Sequence, residues 1–133
     1  MGLLKWLGLD QCEKDPVALD DENFRKEVLE SEIPVVVDVW SDSCMPCRAL
    51  APTIKKLACK YDGKVKVAQL NVSAGPRSVG GLGVQGTPTV LFFKKGKIVE
   101  RVVGIRGQHY FEEIIETDLL EPAAAEKPAA AAN

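Results

Sequence analysis

No stretch of this chain approaches the roughly 18 consecutive apolar residues that a membrane-spanning helix requires. A helical membrane protein is therefore not expected. No block of Lys or Arg stands out either. The 17 basic and 19 acidic side chains leave a formal charge of −2, which gives neither a nucleic-acid surface nor a polybasic membrane patch. Metal-ligand spacing is also missing. The four cysteines, Cys12, Cys44, Cys47 and Cys59, make only one close pair, and the sole histidine, His109, is distant. A zinc site normally draws on two close pairs, so no metal is expected. An export signal is not expected either. Met1 to Asp10 is apolar but short, Lys5 interrupts it, and no small-residue cleavage site follows. Gly2 lacks the Ser or Thr that myristoylation wants at position 6, where Trp6 stands. Asp10 and Gln11 before Cys12 are not the small residues of a lipid-modified cysteine. The expectation is a cytoplasmic protein, in which structural disulfides are not anticipated.

What is present is an ordinary globular composition, 46% hydrophobic and 27% charged over 133 residues. One domain with a real core follows from that length. We divide the chain into an N-terminal extension 1–15, a domain 16–120 and an Ala/Pro-rich tail 121–133 expected to be disordered. In the extension, Leu3, Leu4, Trp6, Leu7 and Leu9 form an apolar side. Packing on the domain's own surface is preferred to a membrane or partner foot, because so short a segment offers little area to bury.

Within the domain, Pro16 to Leu19 reads as an edge strand. Asp20 or Asp21 caps a helix that runs to about Ser31 with Phe24, Val28 and Leu29 inward. Ile33 to Trp40 is nearly continuous in apolar residues, as in a strand buried on both faces. A helix from Ser43 to about Tyr61 directs Leu50, Ile54, Leu57, Ala58 and Tyr61 to the sheet, with a kink expected at Pro52. Cys59 falls roughly opposite Leu57 and should face solvent. Val65 to Val72 is a second inner strand. Ser73 to Gly83 is glycine-rich, with at most one weak turn around Arg77 to Val79. Thr89 to Phe93 and Ile98 to Val103 pair through a turn at Lys94 to Lys97. A last helix, Gly107 to about Leu120, places Phe111, Ile114, Ile115 and Leu119 inward. The order is βαβαβ, then a hairpin, then α. The predicted class is α/β, a central mixed β-sheet with helices on both faces.

One motif carries chemistry. Val35-Val36-Val37-Asp38-Val39-Trp40 leads through a short polar link into Cys44-Met45-Pro46-Cys47. Two thiols at this spacing near a helix start can close a small disulfide ring. Cys44, at the positive end of the helix, is favoured as a thiolate. It would attack a substrate disulfide, and the shielded Cys47 would resolve the mixed disulfide. Pro46 has no N–H to leave unpaired in the first turn. Gly81-Leu82-Gly83-Val84-Gln85-Gly86 has the letters of a dinucleotide fingerprint but runs into a strand rather than opening a helix, so it is read as loop.

This context resembles the thioredoxin family over residues 17 to 119. The matching pieces are Val37-Asp38-Val39-Trp40, Cys44-Met45-Pro46-Cys47-Arg48 with Ala51-Pro52, Gly86-Thr87-Pro88-Thr89, Phe93-Lys94-Lys95-Gly96 and Gly104. The resemblance implies a thioredoxin fold and a dithiol–disulfide oxidoreductase with no cofactor beyond the Cys44–Cys47 pair. It further implies protein disulfides as substrates, a reductase-type electron donor and a monomer. Asp38 becomes the buried carboxylate behind Cys47, and burial among valines should raise its pKa so that it can take the Cys47 proton. Pro88 becomes a cis proline facing the disulfide. Thr87 presents backbone to an extended substrate, and Trp40 is the aromatic under the active-site loop.

Three positions depart from the family pattern. Ser43 replaces a tryptophan, Met45 replaces a glycine, and Gln69 replaces the lysine that partners the buried aspartate. Loss of that cation should leave Asp38 more readily protonated. Two alternatives stay open at this point, a disulfide oxidase or isomerase and a non-catalytic interaction module. Cys59 is read as an incidental surface cysteine in preference to a regulatory thiol, and His109 as a surface residue.

Overall fold

The computed structural model describes Cys12 and residues 14–121. The surface packing expected of Leu3 to Leu9 and the tail expected beyond Glu121 lie outside the described residues.

Five strands form one sheet in the order β1-β3-β2-β4-β5. They are β1 (Val17–Leu19), β2 (Val35–Trp40), β3 (Lys66–Asn71), β4 (Thr89–Lys94) and β5 (Lys97–Val103). β1 and β2 both run parallel to β3, whereas β4 is antiparallel to β2 and to β5. The sheet is therefore mixed, and β2 lies at its centre. Alternation along a strand sends neighbouring side chains to opposite faces. On β2, Val36 packs on one side with Leu50, Ile54, Leu57, Phe92, Phe111 and Ile115. Val35, Val37 and Val39 pack on the other with Phe24, Val28, Leu70, Leu91 and Phe93. Helices supply both faces, which is why β2 reads as an unbroken apolar run rather than an alternating one.

Helix α1 (Arg25–Leu29) is shorter than the sequence suggests. It is one wide turn, closed by the Glu30 N–H donating to the Arg25 carbonyl at 2.9 Å. So short a turn buries Phe24 and Val28, while Leu29, expected inward, is 38% exposed. The two aspartates split their work. Asp20 Oδ1 accepts from the N–H groups of Glu22 and Asn23 at 2.8 Å each. Asp21 instead crosses to α3 (Pro76–Gly81) and accepts from the Ser78 N–H at 2.8 Å. That remote cap helps a six-residue helix form where the glycine content argued for a single weak turn.

Helix α2 (Met45–Lys60) buries Cys47, Leu50, Ile54, Leu57 and Ala58 against the sheet, and Tyr61 follows at 3% exposure. Pro52 is in its interior on the exposed side, and the helix continues to Lys60. Lys95 (φ 54°) and Gly96 (φ 79°) make the two-residue turn between β4 and β5. Two successive left-handed residues suit the twist of a hairpin. A side chain at Gly96 would also meet the Leu29 carbonyl oxygen at 2.8 Å. The chain closes with α4 (Gln108–Ile114), prolonged by a wider turn over Ile115–Leu119. Phe111, Ile115 and Leu119 are buried there as their spacing required, with Ile114 packed alongside.

The cysteines depart most from expectation. Cys12 and Cys59 form a disulfide, with Cα atoms 5.8 Å apart. Structural disulfides were not anticipated, and Cys59 was expected to face solvent as an incidental thiol. It is half-buried, because the segment that begins at Cys12 lies over it.

Candidate active site

β2 ends at Trp40 and the chain turns through Ser41 to Ser43 into α2. The turn is held by the Cys44 N–H donating to the Ser41 carbonyl at 3.3 Å and by Arg48 Nη2 donating to the Asp42 carbonyl at 3.3 Å. Cys44 is the N-cap of α2. Its sulfur accepts the Cys47 N–H at 3.1 Å, the position a capping oxygen usually occupies. The sulfur thus meets both an unpaired helix N–H and the positive end of the helix. Each of these favours negative charge on Cys44 once the pair is reduced.

Cys44 and Cys47 are joined as a disulfide. Their exposures differ as an attacking and a resolving thiol require. Cys44 is half-buried at the end of the helix, and Cys47 retains 4% of its surface. Met45 between them is 69% exposed and offers the site an apolar rim.

The segment before β4 brings the other half of the site. The Thr87–Pro88 peptide bond is cis, Pro88 is buried, and the Pro88 carbonyl accepts the Gly104 N–H at 2.9 Å. Cys44 Sγ lies 3.5 Å from the Thr87 carbonyl oxygen, an acceptor for the thiol in the dithiol state. The hydroxyls of Thr87 and Ser41 share a hydrogen bond at 3.1 Å. This bond ties the proline segment to the end of β2, and Ser41 was not singled out by sequence reasoning. No local pattern marks it, because its partner is 46 residues away.

Asp38 is in mid-β2, 1% exposed. By strand parity it shares the face of Val36, which is the face covered by α2. Its Oδ2 accepts from Gln69 Nε2 at 3.4 Å, its register partner on β3. Its Oδ1 is buried with no protein partner. Burial pushes its carboxyl up from 3.8 to about 6, with the Gln69 bond opposing that shift. A neutral amide gives only a hydrogen bond where a cation would have added charge. Trp40, at the end of β2, is half-buried, and its carbonyl accepts the Val72 N–H at 2.9 Å.

Folding therefore gathers Asp38, Trp40, Cys44, Cys47, Thr87 and Pro88 around the junction of β2, α2 and β4. Gly81 is the last residue of α3, and Leu82 to Gly86 follow as a loop leading to the cis peptide. A pocket of about 600 Å³ opens elsewhere, lined by Lys60, Tyr61, His109, Tyr110, Glu112 and Glu116, and it contains no thiol. Among the described residues, no group of three or more His, Cys, Asp or Glu is placed to hold a metal ion. Among them, too, no helix is long and apolar enough to cross a membrane.

Comparison with known proteins bears on this arrangement. The family model described as Thioredoxin matches residues 15–117. A thioredoxin from Synechocystis is 42% identical over 86 residues, covering 65% of this chain and 80% of the relative. Thioredoxin 1 from Nostoc is 37% identical over 99 residues, covering 74% of this chain and 92% of the relative. A thioredoxin from Chlorobaculum thiosulfatiphilum is 44% identical over 84 residues, covering 63% and 78%.

Proposed function

The chain belongs to the thioredoxin family of thiol–disulfide oxidoreductases, and from that premise we propose how its own residues divide the reaction. Cys44 is the nucleophile. As thiolate it attacks a substrate disulfide, forms a Cys44–substrate mixed disulfide and expels one substrate thiolate. Cys47 then attacks Cys44 Sγ, closes the Cys44–Cys47 disulfide and releases the second substrate thiolate. Two electrons and two protons pass to the substrate, which leaves as a dithiol. Protein disulfides are the substrates, and a reductase restores the Cys44–Cys47 dithiol.

The observation that carries this division is the unequal environment of the two sulfurs. Cys44 caps α2 and is partly exposed, while Cys47 is one turn in and shielded. Asp38 accepts the Cys47 proton in the second step. A carboxyl titrating near 6 is ionised at neutral pH yet basic enough to take a proton, the compromise a general base needs. Thr87 and Pro88 present backbone to an extended substrate segment, with Trp40 beneath the active-site loop. The electrons reside on the cysteine pair, and no further cofactor is required. We place the catalytic unit at residues 16–120, as a cytoplasmic monomer whose extension 1–15 makes no membrane contact.

Trapping tests the assignment. Cys47→Ser should hold substrate proteins as mixed disulfides through Cys44, released by dithiothreitol. Their absence in that variant, or their persistence in Cys44→Ser/Cys47→Ser, would refute Cys44 as the nucleophile.

A further inference from the structure

The second disulfide sits at the far end of the helix that bears the first. Cys12 joins Cys59 in the last turn of α2. Two ion pairs flank it. Lys14 Nζ lies 3.0 Å from Asp62 Oδ1, and Asp15 Oδ1 lies 3.4 Å from Lys55 Nζ. The Lys14 N–H also donates to Cys12 Sγ at 3.3 Å. Cys12, Lys14 and Asp15 thus fasten a strap across the outer side of α2 and the turn after it. Sheet pairing takes over at Val17, which is in register with Ala68 of β3.

The fastenings are unequal in strength. Both ion pairs are solvent-exposed, with side chains 49% to 80% accessible, and such pairs contribute little. The covalent bond is what fixes the strap. It is also open to attack, because Cys12 is exposed and no packed core must be breached to reach its sulfur. Exposed disulfides are the exchangeable ones. Cys44 of the same molecule cannot serve. It caps one end of the 16-residue α2 and Cys59 is at the other, a span of about 20 Å at the helical rise per residue.

We propose that Cys12–Cys59 is a second, exchange-active thiol–disulfide site, distinct from Cys44–Cys47, that sets where the N-terminal segment is anchored. A thiolate attacks one sulfur of Cys12–Cys59, and a second thiol completes the exchange. The strap is left as two thiols and the attacking pair as one disulfide. The reverse reaction uses a small-molecule disulfide as oxidant, which leaves as two thiols. In the closed state the chain is fixed from Cys12. In the open state the first firm point is β1, at Val17.

The test uses the full chain carrying Cys44→Ser and Cys47→Ser, in which Cys12 and Cys59 are the remaining thiols. It is equilibrated across a series of reduced and oxidised glutathione, acid-quenched, alkylated and weighed. Two alkylated cysteines at the reducing end, none at the oxidising end and no glutathione adduct are expected, in one transition within the series. A pair that never closes, that ends as glutathione adducts or intermolecular dimers, or that stays closed in fully reduced glutathione would overturn the proposal.

A second readout follows the strap itself, through tryptic cleavage after Lys14. The oxidised form should be cut about tenfold more slowly than the reduced form, since cleavage needs a locally opened segment. Adding Cys12→Ser should abolish that difference, and equal rates in the two redox states before that change would overturn the anchoring role. In the otherwise native chain, Cys12→Ser should leave insulin reduction unchanged. Loss of that activity would make the pair part of the first site and overturn its independence.

Discussion

At the first turn of α2, Cys44 receives the Cys47 N–H and the positive end of the helix. At the last turn, Cys59 stands among carbonyls at the negative end, with Lys55 and Lys60 nearby in sequence. Both cysteines belong to disulfides, yet the helix treats them oppositely. The macrodipole favours a thiolate at the first end and opposes one at the second. The loops differ as well. Cys44 and Cys47 close a ring with a sequence separation of 3, whereas Cys12 and Cys59 span 47. A small ring constrains the unfolded chain little, and a large one constrains it strongly. One end of the helix thus suits substrate chemistry and the other a reversible fastening, and the separation of the two roles can be tested.

The largest effect should fall on activity at the first end. Cys44→Ser should lower insulin reduction by at least about a thousandfold, since Cys47, at 4% exposure, is too shielded to replace it and Cys12–Cys59 stands at the far end of α2. Cys12→Ser, assayed beside it, should stay within about twofold of wild type. A large loss in both would end the comparison. Stability should show the reverse pattern. In oxidising buffer, Cys12→Ser should lower unfolding free energy by up to about 4 kcal/mol, the chain-entropy value for a loop of this length. In dithiothreitol the variant and wild type should have matching denaturation midpoints. A midpoint that does not move in oxidising buffer would mean that Cys12 fastens nothing.

Asp38 tests whether the chemical end carries a cost in stability. Its folded-state carboxyl is raised above the ordinary value of 3.8 to about 6. Its contribution to stability is therefore full below about pH 4 and is lost as pH rises through 6. Asp38→Asn should be more stable than wild type at pH 8, by about 2–3 kcal/mol. That gain should vanish at pH 4, as urea unfolding at the two pH values would show. The same variant should lose an inflection near pH 6 in the rate of disulfide reduction. A stability difference that does not change with pH would remove Asp38 as the titrating group. The smallest effect compares the two ends directly. In the fully reduced protein at pH 7, iodoacetamide should alkylate Cys44 about tenfold faster than Cys59, the difference expected from opposite helix ends. Equal rates, read by peptide mapping, would mean that the helix does not distinguish the two thiols.

Legibility in the sequence followed the distance between partners. The central strand, the long helix and the hairpin were readable because hydrophobic spacing and turn residues are local signals. Val35 to Val39 announced burial on both faces, and Leu50, Ile54 and Leu57 announced one buried helix face. α1 was over-extended because Leu29 fits helical spacing, although a single wide turn leaves it at the surface. α3 was underestimated because its cap comes from Asp21, far back in the chain. Around the active site, the cysteine pair and Thr87-Pro88 were visible as letters. Ser41 was not, because its bond to Thr87 exists only once β2 and the proline segment are adjacent.

The sequence by itself determined the dithiol chemistry. It set two thiols three residues apart after a buried strand, with an acid in that strand and a Thr-Pro before another. Each of those patterns is specified within a few residues. Only the tertiary structure decided which distant groups meet. It put Gln69 against Asp38 through the parallel register of β2 and β3, and it joined the hydroxyls of Ser41 and Thr87. It also brought Cys12 to Cys59, so that one helix carries a disulfide at each end. Such meetings depend on strand order and on the path of the chain over α2, and no local spacing encodes either.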